Sequence, residues 1–274
     1  MYSRVYVEIT NICNKNCSFC HGHHRKAGQM DEETFARILA QLRGKTEYVY
    51  YHLMGEPLTH PKLPVFLKMA AQEGFRSVIT TNGTLLSQKG GMLLDSGVHK
   101  VSISLHSLEE GQMESYLQQV VDFARAAEET GTLVSLRLWS RGSAEESRGE
   151  EMINYLRRNL PGEWTENSRG YRIRDRLYLE WGDRFVWPDQ DAPVCSEHAA
   201  CYGMRDHFGI LCDGTVVPCC LDSEGAIPLG NVLTEDLEQI LSSSRATAIA
   251  KGFANRKAVE QLCRRCGYAT RFQK

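Results

Sequence analysis

The chain has 274 residues, 42% hydrophobic and 24% charged, with a formal net charge of -2. This is the make-up of a soluble globular protein with one large domain, or one with a small appendage, and it leaves no global field to recruit nucleic acid or an anionic membrane. No apolar run approaches a membrane span and the start, MYSRVYVEIT, lacks a signal-peptide core, so a cytoplasmic setting is expected, with ten cysteines that bind metal or do catalysis rather than form disulfides.

Residues 5–9 (VYVEI) read as a strand. The following EITNICNKNCSFCHGHH carries Cys13, Cys17 and Cys20 at C-x3-C-x2-C spacing. Three thiols so close together cannot pair without one left over, but they can converge on one soft metal centre. An iron–sulfur cube takes four ligands, so three from the protein would leave one iron open to substrate or cofactor. A structural zinc would instead need its fourth ligand from His21, His23 or His24.

A helix is expected to open at Met30-Asp31-Glu32-Glu33, with Phe35, Ile38, Leu39 and Leu42 at helical spacing. Residues 48–53 read as a strand ending in Met54-Gly55-Glu56-Pro57, 63–73 as a helix, and 77–81 as a strand running into Asn82-Gly83. Next come a helix at 85–96, the strand VSISL at 101–105 and an amphipathic helix at 115–130. A strand at 132–138 with Arg137 as its one charge, a helix at 144–159 and a sixth strand at 171–174 complete the series. This alternation predicts a parallel sheet with helices outside. Six units, against the eight of a closed barrel, predict a partial (β/α)6 barrel. An open doubly wound sheet fits less well, because a cysteine loop stands where a Gly-rich phosphate turn would follow the first strand.

Residues 159–194 hold Pro161-Gly162, three of the four tryptophans and Pro188, and read as a bridge. A boundary is expected near residue 190, dividing a core at 1–190 from a module at 191–274. Residues 208–211 and 215–217 around Asp213-Gly214 form a hairpin pattern, with short helices at 234–240 and 245–253. No cysteine occurs between residues 21 and 194; then come Cys195, Cys201, Cys212, Cys219, Cys220, Cys263 and Cys266.

The cysteine triplet after the first strand, Gly55-Glu56-Pro57 after the second, Thr81-Asn82-Gly83 after the third and Ser102–Leu105 together resemble the radical S-adenosylmethionine (SAM) superfamily, over about the first two thirds of the chain. The order matters more than any one motif, since the carboxyl ends of strands are where a barrel builds its site. The resemblance implies that Cys13, Cys17 and Cys20 hold a 4Fe–4S cluster whose open iron is chelated by SAM. It also implies that Phe19 lies beside the adenine, Gly55 and Glu56 receive the methionyl ammonium, Ser104 bonds the ribose and Arg137 pairs with the SAM carboxylate, with Asn82 nearby. Reductive cleavage of SAM would then give a 5′-deoxyadenosyl radical that abstracts a substrate hydrogen. His52 and His106, near strand ends, carry no assigned role.

The carboxy-terminal cysteines resemble the SPASM/Twitch extension of the same superfamily, in its shortened form with one auxiliary 4Fe–4S cluster. Cys201, Cys219, Cys263 and Cys266 would be the ligands, and Gly230-Asn231-Val232 the link between hairpin and last cysteines. A four-cysteine zinc site remains the alternative, Cys195 could replace Cys201, and the Cys219 assignment could slip to Cys220. Cys220 otherwise serves as a hydrogen-atom donor, and Cys212 as packing. The expected activity is a net oxidation, dehydrogenase-like, of a small molecule, with the auxiliary cluster accepting an electron and a flavodoxin or ferredoxin as donor. The alternatives are a peptide- or protein-modifying maturase or epimerase and, from another class, a non-catalytic zinc or iron–sulfur protein. A barrel expected to start directly, without a peptide-recognition module before it, favours a small molecule, or a peptide held by the barrel alone.

Overall fold

The computed structural model describes residues 1–107, 111–141 and 146–272. In chain order the strands and helices are β1 (Arg4–Val7), α1 (Glu32–Leu42), β2 (Tyr48–Tyr50), α2 (Leu63–Gln72), β3 (Arg76–Thr81), α3 (Leu86–Asp95), β4 (Lys100–Ser104), α4 (Met113–Thr130), β5 (Leu133–Arg141) and α5 (Glu146–Asn159). They continue with β6 (Thr165–Asn167), β7 (Gly170–Arg174), β8 (Leu177–Asp183), β9 (His207–Ile210), β10 (Thr215–Val217), β11 (Gly230–Asn231), α6 (Leu237–Ser242), α7 (Ser244–Ala254) and α8 (Gln261–Arg264). The expected helix from residue 144 is present from Glu146; residues 144 and 145 lie outside the described residues.

Two compact units divide the chain. One comprises Met1–Lys62, Gln72–Phe75 and Phe185–Lys274. Its strands lie in the order β11-β10-β9-β1-β2. β1 pairs in parallel with β2 on one side and with β9 on the other, where Val5 opposes Phe208 and Val7 opposes Ile210. β9 and β10 form the expected hairpin, and the Gly230–Asn231 link adds β11 to its edge. α1 starts where its sequence says. Asp31 accepts the Thr34 N–H at 2.8 Å, Glu32 and Glu33 occupy the positive end of the helix, and Phe35, Ile38, Leu39 and Leu42 are buried.

The second unit comprises Leu63–Ala71 and Arg76–Arg184, with strands ordered β3-β4-β5-β8-β7-β6. β3, β4, β5 and β8 are parallel. The sixth parallel strand is therefore Leu177–Asp183, not the expected 171–174. Gly170–Arg174 is the antiparallel return of a hairpin on β8. The reason is burial: Leu177 and Leu179 are each 1% exposed and face Val134 and Leu136 of β5 across the pair. Both units show the parallel α/β pattern of a partial barrel.

Candidate functional site

In the first unit β1 feeds the cysteine loop, and the loop is closed at its base by side chains. Thr10 Oγ1 donates to Gly28 O at 3.1 Å, Asn11 Nδ2 donates to Lys26 O at 2.9 Å, and Gly28 N donates to Asn11 Oδ1 at 2.8 Å. Cys13 and Cys20 are exposed and Cys17 half-buried. The histidines that a zinc site would recruit are engaged elsewhere: His23 Nε2 bonds Asn11 O at 2.9 Å, His24 approaches Glu224, and His21 stacks on Trp187.

The Gly55-Glu56 turn sits directly on the start of this loop. Gly55 adopts φ +76°, and any side chain there would run into Thr10 O and the Asn11 backbone. Glu56 N donates to Ile12 O at 2.9 Å. The Glu56 side chain is 2% exposed, and its Oε1 accepts the Leu58 N–H at 3.1 Å, capping the short 3-10 helix Pro57–Thr59. A buried carboxylate is thus held beside the cysteine triplet.

Beneath that turn lies Glu8, fully buried immediately after β1. Its carboxylate accepts from Arg25 Nη2 at 2.7 Å, Met54 N at 3.1 Å and Cys212 N at 3.3 Å, while Arg25 Nε donates to Ser223 O at 2.6 Å. In a buried ion pair the cost of desolvation offsets much of the charge attraction, and the further hydrogen bonds satisfy the remaining lone pairs. Here the pair keys the end of the cysteine loop to the turn before Gly55 and to the carboxy-terminal hairpin. Burial, then the Glu8 charge, pushes the Cys212 thiol up to about 11, consistent with a packed thiol.

The same unit gathers the carboxy-terminal cysteines. Cys219 lies within electrostatic reach of Cys220, Cys201, Cys263 and Cys266, and burial followed by the charges of these neighbours raises its pKa well above that of an ordinary thiol. Burial likewise raises Cys201 and Cys263, and takes Cys266 up to about 11. Cys263 and Cys266 pack on buried Ala199, Ala258 and Ala269. Gly203 N donates to Cys201 Sγ at 3.4 Å, the kind of N–H···S contact that tunes a cluster. Among the described residues no three His, Cys, Asp or Glu side chains form a group that could hold a metal ion. One tetrahedral ion needs its sulfurs tightly gathered, whereas a cube carries each thiolate on a separate iron. The donor set, four half-buried cysteines within electrostatic reach of one another, has the chemistry of an iron–sulfur cluster, which would hold them as thiolates. Cys220, half-buried like these four, packs on the apolar cluster of Tyr6, Leu53, Leu211 and Val217.

In the second unit Ser104 and Arg137 are register partners on β4 and β5. The Arg137 guanidinium lies 5.0 Å from the Trp139 ring centre, and His106 meets that ring at 6.5 Å. Burial first, and the Arg137 charge second, take His106 down to about 3, so its ring is neutral at ordinary pH. Asn82 is 8% exposed and its Oδ1 accepts from Thr84 N and Oγ1 at 3.0 and 2.7 Å, a local turn. Tyr116 from α4 pins that turn by donating to Asn82 O at 2.8 Å, close against Gly83 at φ +80°. Sequence reasoning missed Glu8, Arg25, Tyr116 and Trp187. Only Glu8 carried a signal, as a carboxylate inside an apolar strand.

Comparison with known proteins agrees with this geometry. Residues 7–137 match the Radical SAM superfamily, and residues 201–267 match SPASM, an iron–sulfur cluster-binding domain. The chain is 34% identical over 113 residues to the tungsten-containing aldehyde ferredoxin oxidoreductase cofactor-modifying protein of Pyrococcus furiosus, covering 39% of this chain and 32% of that one. It is 27% identical over 115 residues to the S-adenosyl-L-methionine-dependent 2-deoxy-scyllo-inosamine dehydrogenase of Niallia circulans, covering 39% and 46%. The matches thus span about a third to a half of these curated relatives' length. Two solved structures share the fold. BtrN in complex with AdoMet and 2-DOIA has a TM-score of 0.65 at 18% identity, covering 97% of this chain and 93% of that one. Streptococcus suis SuiB bound to precursor peptide SuiA has a TM-score of 0.66 at 14% identity, covering 100% and 73%. SAM and iron–sulfur clusters are accordingly the cofactors, and no helix among the described residues is long and apolar enough to cross a membrane. The chain belongs to the radical SAM superfamily and carries a SPASM iron–sulfur cluster-binding domain.

Proposed function

We propose that the protein oxidises a small molecule by two electrons in a SAM-dependent, dehydrogenase-like reaction. The observation that carries this reading is the contrast within one unit between a three-cysteine loop lying on the Gly55-Glu56 turn, with Cys13 and Cys20 exposed, and a set of four half-buried cysteines. When bound, the cofactors supply a 5′-deoxyadenosyl radical at the first site and an electron acceptor at the second. The chain's own residues do the rest. Cys13, Cys17 and Cys20 hold the open cluster, and Cys201, Cys219, Cys263 and Cys266 the closed one. Gly55 and Glu56 receive the methionyl ammonium and Phe19 lies along the adenine. Ser104 and Arg137 supply a hydroxyl and a cation for the ribose and the carboxylate. Asn82 holds the turn after β3. The functional division falls near residue 190, and a flavodoxin or ferredoxin is the electron donor. Support comes from the similarity to the 2-deoxy-scyllo-inosamine dehydrogenase.

The test is 5′-deoxyadenosine release from SAM by anaerobically reconstituted, reduced protein, with Cys17→Ala beside it. Release by the wild type alone is expected; equal release by both would end the reading. A second reading, a redox-neutral epimerase acting on a peptide, is favoured by the Cys220 thiol held on Tyr6 and by the fold shared with a peptide-bound structure. It requires that Cys220→Ala abolish epimer formation while SAM cleavage continues.

A further inference from the structure

The stretch that follows β8 touches both cysteine groups. Trp187 Nε1 donates to the carbonyl of Phe19, the residue before Cys20, at 3.0 Å. The His21 ring lies parallel to the Trp187 indole, with centres 6.2 Å apart and planes at 16°, and its Nε2 is 3.9 Å from the Asp189 carboxylate. On the other side, the carbonyl of Val186 accepts the N–H of Gly267, the residue after Cys266, at 3.1 Å. Phe185 meets Tyr268 edge-on at 5.0 Å and packs on Trp187 at 5.2 Å, and Arg271 lies over both Phe185 and Tyr268. Farther along, Cys195 N and Ser196 N both donate to Arg264 O, and Arg265 Nε donates to Ala192 O at 2.8 Å. Two adjacent residues are therefore bonded to backbone positions one step from Cys20 and one step from Cys266.

We infer that Trp187 couples the two cysteine sites as a positioning residue, setting the Phe19 carbonyl and with it Cys20 in a place dictated by the loop around Cys266. The inference rests on the ligand assignment proposed above. An exposed cysteine loop has little packing of its own to fix it. An indole brings a rigid plane with a single N–H donor at its edge, so the bond it makes also fixes direction. When one short strap carries the geometry of two sites, a change at either must alter the other's binding free energy, by the same factor in both directions. Mere packing by Trp187 would instead make losses at the two sites additive.

A double-mutant cycle on the reconstituted holoprotein decides the matter. The dissociation constant of radiolabelled SAM is measured by equilibrium dialysis for wild type, Trp187→Phe, Cys266→Ser and the double variant, with iron, sulfide and thermal unfolding followed alongside. Cys266→Ser is expected to weaken SAM binding about fivefold or more in the Trp187 protein, the lower end of ordinary coupling, and by less than about twofold in the Trp187→Phe background. Reciprocally, SAM should slow chelator extraction of iron from the carboxy-terminal set in wild type and not in Trp187→Phe. Additive effects would overturn the coupling. If Cys266→Ser empties both sites, Tyr268→Leu takes its place in the cycle, since it removes the partner of Phe185 and leaves every cysteine intact. The underlying assignment fails separately, if Cys17→Ala still binds SAM as the wild type does.

Discussion

The two cysteine groups belong to one compact unit and yet are built in opposite ways. The amino-terminal loop leaves Cys13 and Cys20 open to solvent and relies on Thr10, Asn11 and the Gly55-Glu56 turn for its shape. In the carboxy-terminal set Cys201, Cys219, Cys263 and Cys266 are all half-buried, and Cys263 and Cys266 pack on alanines. Two exposed thiols leave the first site room for a reactant, whereas no cysteine of the second set is exposed, a difference in keeping with the separate roles proposed for them.

Substitution breaks the comparison most sharply. Cys17→Ala should drop 5′-deoxyadenosine release to the buffer background. Cys219→Ala should abolish substrate oxidation while keeping release within about tenfold of wild type, a barrier change near 1.4 kcal/mol. Parallel chromatography of deoxyadenosine and product checks both, and equal losses in the two variants would erase the distinction.

Next in size is Gly55→Ala. The positive φ and the clash with the Thr10 and Asn11 backbone should cost about 3 kcal/mol, read as a lowered urea midpoint of the apoprotein with an unchanged slope. An unshifted midpoint would mean that the turn does not rest on the loop.

The closed site should also show itself in pH dependence. Burial disfavours the thiolate, and with Cys266 raised to about 11 its reactive form is scarce at neutral pH and grows about tenfold per pH unit between 7 and 9. Iodoacetamide labelling of Cys266 in the apoprotein, read by peptide mass spectrometry, should follow that slope. A plateau below pH 8 would contradict it.

The smallest effect belongs to the second unit. Tyr116→Phe keeps the ring against Gly83 but removes the hydroxyl that donates to Asn82 O, and should cost about 1 kcal/mol of stability with no change in iron content.

Much of this was legible in the sequence because it is local. The cysteine spacing, the Asp31 cap, the periodicity of α1 and α4 and the Asp213-Gly214 turn each act within a few residues. The sixth parallel strand was misread because GYRIR and LYLEW both alternate, and only the partner strand decides which of them is central. The pairing of β1 with β9 and the reach of Trp187 to Phe19 leave no local trace, since their partners lie far away in the chain. Of the candidate site, the ligating residue types were readable, but the side chains that hold them in place were not. Glu8 carried a signal as a carboxylate in an apolar stretch, but its three donors, drawn from Arg25, Met54 and Cys212, come from distant parts of the chain and left none.

The pairing of Arg4–Val7 with His207–Ile210 also orders events during synthesis. Arg4–Val7 leaves the ribosome well before its neighbour His207–Ile210 exists, and such distant pairing is slow to form and exposes an unpaired edge meanwhile. Ser223 and Glu224, which grip Arg25 and His24, emerge later still. The nascent cysteine loop is therefore made early but acquires the contacts that fix its final shape late.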